Sequence, residues 1–116
     1  MKNPSPIHAA FAPPANASAI SGRGTARWFL SGQTDTAGPI RRIGINSSPF
    51  VVGRVAEASL RLDTRSVSKN HAELLIEGEE LWIRDLNSTN GSYANGEKII
   101  GLTKLNTGDL VQFATL

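Results

Sequence analysis

The sequence predicts an all-β protein, a sandwich of two antiparallel sheets. Three observations carry that prediction. Apolar residues come in short segments, the clearest of these alternate at period two, and turn formers separate them at intervals of roughly 8 to 12 residues. No stretch of useful length repeats apolar residues at helical spacing. In chain order the segments are WFLSG, RRIGI, PFVVG, SLRL, HAELLIE, LWIRDL, GSYA, EKII and LVQFATL.

Residues 1–24 precede the first of them and are rich in Ala, Pro and Ser, without helical or strand periodicity. That is the composition of a flexible tail, so the folded domain is expected over 25–116. Within it the clearest strand is Ala72 to Glu77, where Ala72, Leu74 and Ile76 share one face and Glu73 and Glu77 the other. A turn at EGEE follows. Leu81, Ile83 and Asp85 then alternate with Trp82, Arg84 and Leu86, which completes an antiparallel hairpin with one buried face. Asn95-Gly96 marks a second hairpin, because a type I′ turn needs positive φ at both central residues. Trp28, Trp82 and Phe113 lie in strand patterns and are expected in the core.

Composition narrows the function. A chain of 116 residues, 40% hydrophobic and 19% charged, holds one ordinary globular domain. It has no cysteine and two distant histidines, which excludes disulfides and thiolate metal sites and leaves no metal or other cofactor expected. No apolar run reaches the roughly 18 residues of a membrane span, and Pro13-Pro14 interrupt any signal-peptide core. A cytoplasmic protein without membrane contact is therefore expected. Asn87 and Asn90 both head glycosylation sequons inside a candidate ligand loop, where a glycan would block the site. The net charge of +2 comes from twelve basic residues scattered among ten acidic ones, too little for a nucleic-acid binder.

Three separated pieces draw attention to function: Gly53-Arg54, Ser68-Lys69-Asn70-His71 and Ser88-Thr89-Asn90-Gly91. Each sits at a strand end. The second and third flank the same predicted hairpin, so they meet at one end of the sandwich, where such folds build binding sites. They bring a guanidinium, an ammonium, hydroxyls and an amide. Such a set is rich in donors and suits an oxyanion such as phosphate.

The order Gly-Arg, Ser-x-x-His, Ser-Thr-Asn-Gly and a second Asn-Gly resembles the forkhead-associated (FHA) domain family, over about Trp28 to Leu116. The resemblance implies the SMAD/FHA-like β-sandwich and a signalling module that binds a phosphothreonine-containing protein or peptide without catalysis. It implies that Arg54, Ser68, Lys69 and Thr89 contact the phosphate and that Asn90 holds the ligand's main chain. It makes His71 a structural bridge between loops, with Gly53, Gly91, Asn95 and Gly96 as backbone support. It also implies one more strand after LVQFATL, lying beside the first. The chain as given is then expected to lack its last strand and to leave WFLSG with an unpaired edge.

Each of these residues also has a simpler reading. Singly, Arg54 is a solvated charge and Ser68, Thr89 and Asn90 are turn formers; the combination decides against that. Arg41, Arg42, Arg61 and Arg65 are expected to be solvated. Ser68, His71 and Asp85 name the members of a hydrolase triad, but without a nucleophile elbow or an oxyanion hole. The alternative kept open is a phosphate-independent interaction or oligomerisation domain at the N-terminal end of a larger bacterial signalling enzyme.

Overall fold

The computed structural model describes residues 7–11, 28–33 and 40–114. Among these residues there are strands and no helix. The strands are β1 (Ile7–Phe11), β2 (Trp28–Gln33), β3 (Ile40–Ile45), β4 (Phe50–Gly53), β5 (Leu60–Arg61), β6 (Ala72–Glu77), β7 (Glu80–Asp85), β8 (Ser92–Ala94), β9 (Glu97–Lys98), β10 (Thr103–Leu105) and β11 (Leu110–Phe113). They form a six-stranded sheet in the order β3-β2-β1-β11-β8-β9 and a five-stranded sheet in the order β10-β7-β6-β4-β5.

The alternation that predicted the β6–β7 hairpin sets its register. Leu74 lies opposite Ile83 and Ile76 opposite Leu81, and Gly78-Glu79 form the turn, with Gly78 at φ 62°. Leu74, Ile83 and Leu81 are fully buried in one apolar cluster with Val52 of their own sheet, Leu62 and Val67 of the loop before β6, and Leu30, Ile45, Val111 and Phe113 of the other sheet. Each such side chain contributes about 1.5–3 kcal/mol through burial, so this layer holds the two sheets together.

The outer face of the hairpin is less wet than alternation implies. Glu73 stands opposite Arg84, pairs with it across the strands and is buried by it. Trp82, expected in the core, is instead half-buried on that outer face, opposite Leu75. Period two dictates this once Leu81 and Ile83 point inward. Trp28 and Phe113 are in the core as expected. Arg42 is not merely solvated, since its guanidinium stacks 4.0 Å from the centroid of Phe29.

One pairing, β4 with β5, is parallel. Strand β5 has only two residues, and a turn in which Ala58 N donates to Val55 O brings it back beside β4. Strand β10 had no counterpart among the predicted segments. Its three residues carry one apolar side chain, Leu105, and they are strand because they pair along β7.

The larger correction concerns the N-terminal tail. Ile7–Phe11 was expected outside the fold, but it is a strand in the middle of the larger sheet, antiparallel to β2 on one side and to β11 on the other. The rest of the predicted tail lies outside the described residues. β2 consequently has β3 on one side and β1 on the other, and the unpaired edge expected for WFLSG is absent. Five residues with two adjacent alanines carry little strand propensity of their own. Two open edges, each with unmet N–H and C=O groups, impose the conformation.

Sheet order also places the loops. Ala72 pairs with Asp85 in β7 and with Val52 in β4. The ends of three neighbouring strands therefore lie level, and the segments that leave them, from Arg54, before Ala72 and after Asp85, emerge together.

If β1 is integral, deleting residues 1–12 removes several ladder hydrogen bonds worth about 0.5–1.5 kcal/mol each. The Tm should fall by about 10 °C or more. Thermal unfolding followed by circular dichroism tests this, and an unchanged Tm would return the segment to a tail.

Candidate functional site

Gly53 ends β4 where the backbone of the Ser68–Asn70 loop crosses it. A Cβ at Gly53 would lie 2.0 Å from the Lys69 carbonyl oxygen, so only glycine permits the crossing. Immediately afterwards Arg54 N donates to the carbonyls of Ser68 and Lys69, both at 3.0 Å, and Val55 N donates to Lys69 O at 3.3 Å. The Arg54 side chain then turns along the same loop, with Nε donating to Val67 O at 2.9 Å. Its terminal guanidinium nitrogens have no partner among the described residues.

The Ser-x-x-His spacing closes a local turn in which Ser68 N donates to His71 Nδ1 at 3.0 Å. Nδ1 thus acts as an acceptor, so the proton of the neutral ring is on Nε2, which donates to Gly91 O at 2.7 Å. The ring is fully buried, edge-on to Phe113. One imidazole therefore ties the loop before β6 to the loop after β7. Two further links run between those loops: Thr89 N donates to Ser68 Oγ at 3.0 Å, and Asn90 Nδ2 donates to Ser66 O at 2.8 Å.

The loop after β7 is shaped by Asp85. Its Oδ2 accepts from Ser88 N at 2.8 Å, and its Oδ1 accepts from the hydroxyls of Ser88 and Ser92, each at 2.6 Å. Ser88 Oγ in turn accepts from Gly91 N, at 2.9 Å. Gly91, at φ 85°, occupies a conformation that favours glycine. Burial of Asp85 works to raise its pKa. The hydroxyls of Ser88 and Ser92 and the Ser88 N–H outweigh burial and hold the carboxyl below its ordinary value.

Arg54, Ser68, Lys69, His71, Thr89, Asn90 and Gly91 are thus brought together, with Gly53 beneath them. Asn95 and Gly96 are not. They form the β8–β9 turn at positive φ, 52° and 84°, at the opposite end of β8, where the Asn95 side chain bonds Asp109 and the Leu110 amide. Asp85, Ser88, Ser92 and Ser66 hold the loops but were not assigned to the site from sequence. The pair Asp85-x-x-Ser88 was the available signal, since an aspartate often captures the amide and hydroxyl of a serine three residues on.

The arrangement is not a triad. His71 meets Ser68 through the main-chain amide rather than Oγ, and the nearest Asp85 oxygen is 4.0 Å from Nε2, whose hydrogen bond goes to Gly91. No base is positioned to take the serine proton. What faces outward is a set of donors: the Arg54 fork, the Lys69 ammonium, the hydroxyls of Ser68 and Thr89, and the second amide hydrogen of Asn90. Exposed Arg65 lies in the same loop.

The family model described as the FHA domain matches residues 50–114, more than half of the chain. The chain belongs to the FHA domain family. Its FHA relatives include the FHA domain-containing protein FhaB of Mycobacterium tuberculosis, 32% identical over 71 residues that make up 61% of this chain and 46% of that protein. Another is the glycogen accumulation regulator GarA of Mycolicibacterium smegmatis, 40% identical over 60 residues, 52% of this chain and 37% of GarA. This FHA chain spans under half the length of these curated relatives. Among solved structures, Mycobacterium tuberculosis EmbR in complex with a low-affinity phosphopeptide superposes with a TM-score of 0.61 at 30% identity, over 63% of this chain and 19% of EmbR.

Gly53→Ala should cost about 1–3 kcal/mol or more through overpacking and should expose the Arg54 amide to hydrogen exchange. Gly78→Ala, which meets no atom within 4 Å but is strained by its positive φ, should cost stability at the β6–β7 turn and still leave that amide protected under native conditions. Equal protection in the two variants would count against the crossing. For Asp85, a folded pKa below the unfolded one means that its contribution is present above the ordinary carboxylate range and is lost as pH falls through the folded value. Asp85→Asn should therefore lower the Tm at pH 7 and flatten its decline between pH 5 and 2. Parallel Tm–pH curves would contradict this role.

Proposed function

We propose that this FHA domain is a signalling module that binds a phosphothreonine-containing protein segment and carries out no catalysis. The observation that supports the reading best is the sorting of polar groups at the loop cluster. The carbonyls of Ser66, Val67, Ser68, Lys69 and Gly91 are all consumed by internal hydrogen bonds, while donors on Arg54, Ser68, Lys69 and Thr89 remain outward. A phosphothreonine brings about −1.5 to −2 charge and three acceptor oxygens, which is the complement of that surface.

In this reading the Arg54 fork takes phosphate oxygens through its terminal nitrogens, with Nε held by Val67 so that the fork is pre-aimed. The Ser68 hydroxyl accepts from Thr89 N and keeps its own hydrogen for the phosphate. The Thr89 hydroxyl donates from the other side, and Lys69 adds a point charge. Asn90, with one amide hydrogen on Ser66, uses the other and its carbonyl to hold the ligand's main chain. The module comprises residues 25–116 together with β1. Its partner is protein rather than nucleic acid or membrane, in the cytoplasm; among the described residues no helix is long and apolar enough to cross a membrane. Regulatory relatives such as GarA and the phosphopeptide complex of EmbR support the assignment.

Charge-assisted hydrogen bonds contribute about 1.5–3 kcal/mol each, so three or four suffice for the roughly −8 kcal/mol of micromolar binding. Calorimetry should give micromolar Kd for a suitable phosphothreonine peptide and no measurable binding of its unphosphorylated form. Arg54→Ala should weaken binding about 100-fold or more with the fold retained. An Arg54→Ala protein that folds and binds as tightly as wild type would overturn the assignment.

A further inference from the structure

One cation near the loop cluster has no role in the phosphate site. Lys98 lies on the edge strand β9, opposite Tyr93 of β8. Ser92 and Ala94 face Phe113 and Val111 in the core, so Tyr93 and its neighbour Lys98 stand on the outer face of the sheet. Tyr93 reaches along that face and donates from its hydroxyl to Asn90 O at 3.3 Å. The Lys98 stem follows the same course. A Cβ at Gly91 would lie 3.2 Å from the Tyr93 hydroxyl and 3.3 Å from Lys98 Cε. The ammonium, one bond further on, therefore sits beside the Asn90–Gly91 main chain, although Lys98 follows Asn90 by a full hairpin.

That ammonium has no ion pair or hydrogen bond among the described residues. Glu97, its chain neighbour, alternates to the other side of the strand. Asp85 is occupied by Ser88 and Ser92, and Asp109 by Asn95 and the Asn106 amide at the far end of β8. Among the described residues β9 is an edge strand, and no further strand lies beside Lys98. Arg54 and Lys69 approach Thr89 and Asn90 through the Ser68 loop, whereas Lys98 flanks Asn90 and Gly91 from the opposite sheet.

We propose that Lys98 is a specificity residue that selects an acidic side chain in the segment whose main chain Asn90 holds. The inference rests on the phosphothreonine reading and adds to it a second, charge-selective contact separate from the phosphate. The bound segment crosses Asn90, so one of its side chains passes within reach of the ammonium. Glutamate or aspartate there meets an unpaired cation, lysine meets repulsion, and glutamine meets neither. Tyr93 serves as the platform that keeps the lysine stem extended toward the loop.

The test uses calorimetry on the whole chain with one phosphothreonine peptide series, in which Glu, Gln or Lys is placed in turn at each position flanking the phosphothreonine. At one position the wild-type protein should prefer Glu over Gln by about 3-fold and Gln over Lys by a similar factor, the scale of an exposed pair. Lys98→Glu should invert the order at that position only. Lys98→Met, which keeps the stem, should bind all three alike there. If wild type binds phosphothreonine peptides but Lys98→Glu and Lys98→Met keep its charge preference, or weaken every peptide equally, the role of Lys98 is overturned while the phosphothreonine site stands. If wild type binds no phosphothreonine peptide in the series, the underlying binding reading falls, and this proposal with it.

Discussion

The binding end of this domain depends on one buried imidazole. His71 immediately precedes β6, fully excluded from water, and its two nitrogens are committed in opposite senses: Nδ1 accepts the Ser68 amide and Nε2 donates to the Gly91 carbonyl. A buried polar ring is tolerated only when both of its hydrogen bonds are made, and here making them joins two loops that share no backbone ladder. The backbone of His71 is equally bound, donating to Val52 O at 2.8 Å and accepting from Leu86 N at 2.9 Å. Four groups on one residue thus connect β4, the Ser68 loop, the start of the Leu86 loop and the Thr89–Gly91 turn. Among the described residues no buried side-chain nitrogen or oxygen lacks a partner, so this network is closed. Closed polar networks rigidify, whereas half-closed ones destabilise.

Rigidity alone would not make a binding site; the sign of what remains exposed does. Loop backbones normally present donors and acceptors in equal number. Here acceptors are drawn inward by Arg54 N and Nε, Val55 N, His71 Nε2 and Asn90 Nδ2, while side-chain donors are left outward. Asp85, the one carboxylate beneath the loops, is saturated by serine donors and held ionised as an internal cap rather than a competitor for cations. In the proposed reading the surface receives an anion by elimination as much as by its positive charge. The sandwich supplies the constancy: three strand ends stay level because Leu74, Ile83 and Val52 are locked in a fully buried layer.

Much of this was legible in the sequence where a local rule and the global fold agree. The β6–β7 hairpin follows from alternation, the β8–β9 turn from Asn95-Gly96, and the meeting of the Ser68 and Thr89 loops from their places on either side of one hairpin. What was missed depended on partners distant in the chain. Strand β1 has no strong period and exists because β2 and β11 both offer open edges; β10 exists because β7 does. Trp82 and Glu73 fall where the pleat sends them, and only the cross-strand neighbour Arg84 explains why a glutamate can be covered. Asn95 and Gly96, expected as turn residues that support the backbone, form that turn at positive φ, at the end of β8 away from the loop cluster. Lys98 gave no signal at all, since its proximity to Asn90 passes through a turn, a cross-strand pair and a tyrosine.

In the proposed function the phosphate is received by donors that His71 holds in place. A 1H–15N titration of the labelled chain with a phosphothreonine peptide addresses it most directly, with the imidazole nitrogens observed in the same samples. The largest amide shifts are expected at Arg54, Ser68, Thr89 and Asn90, with little change from Gly101 to Asn106, while His71 keeps its proton on Nε2 from free to saturated protein. Shifts centred away from these loops, or a His71 ring protonated on Nδ1 in the folded protein, would contradict that reading.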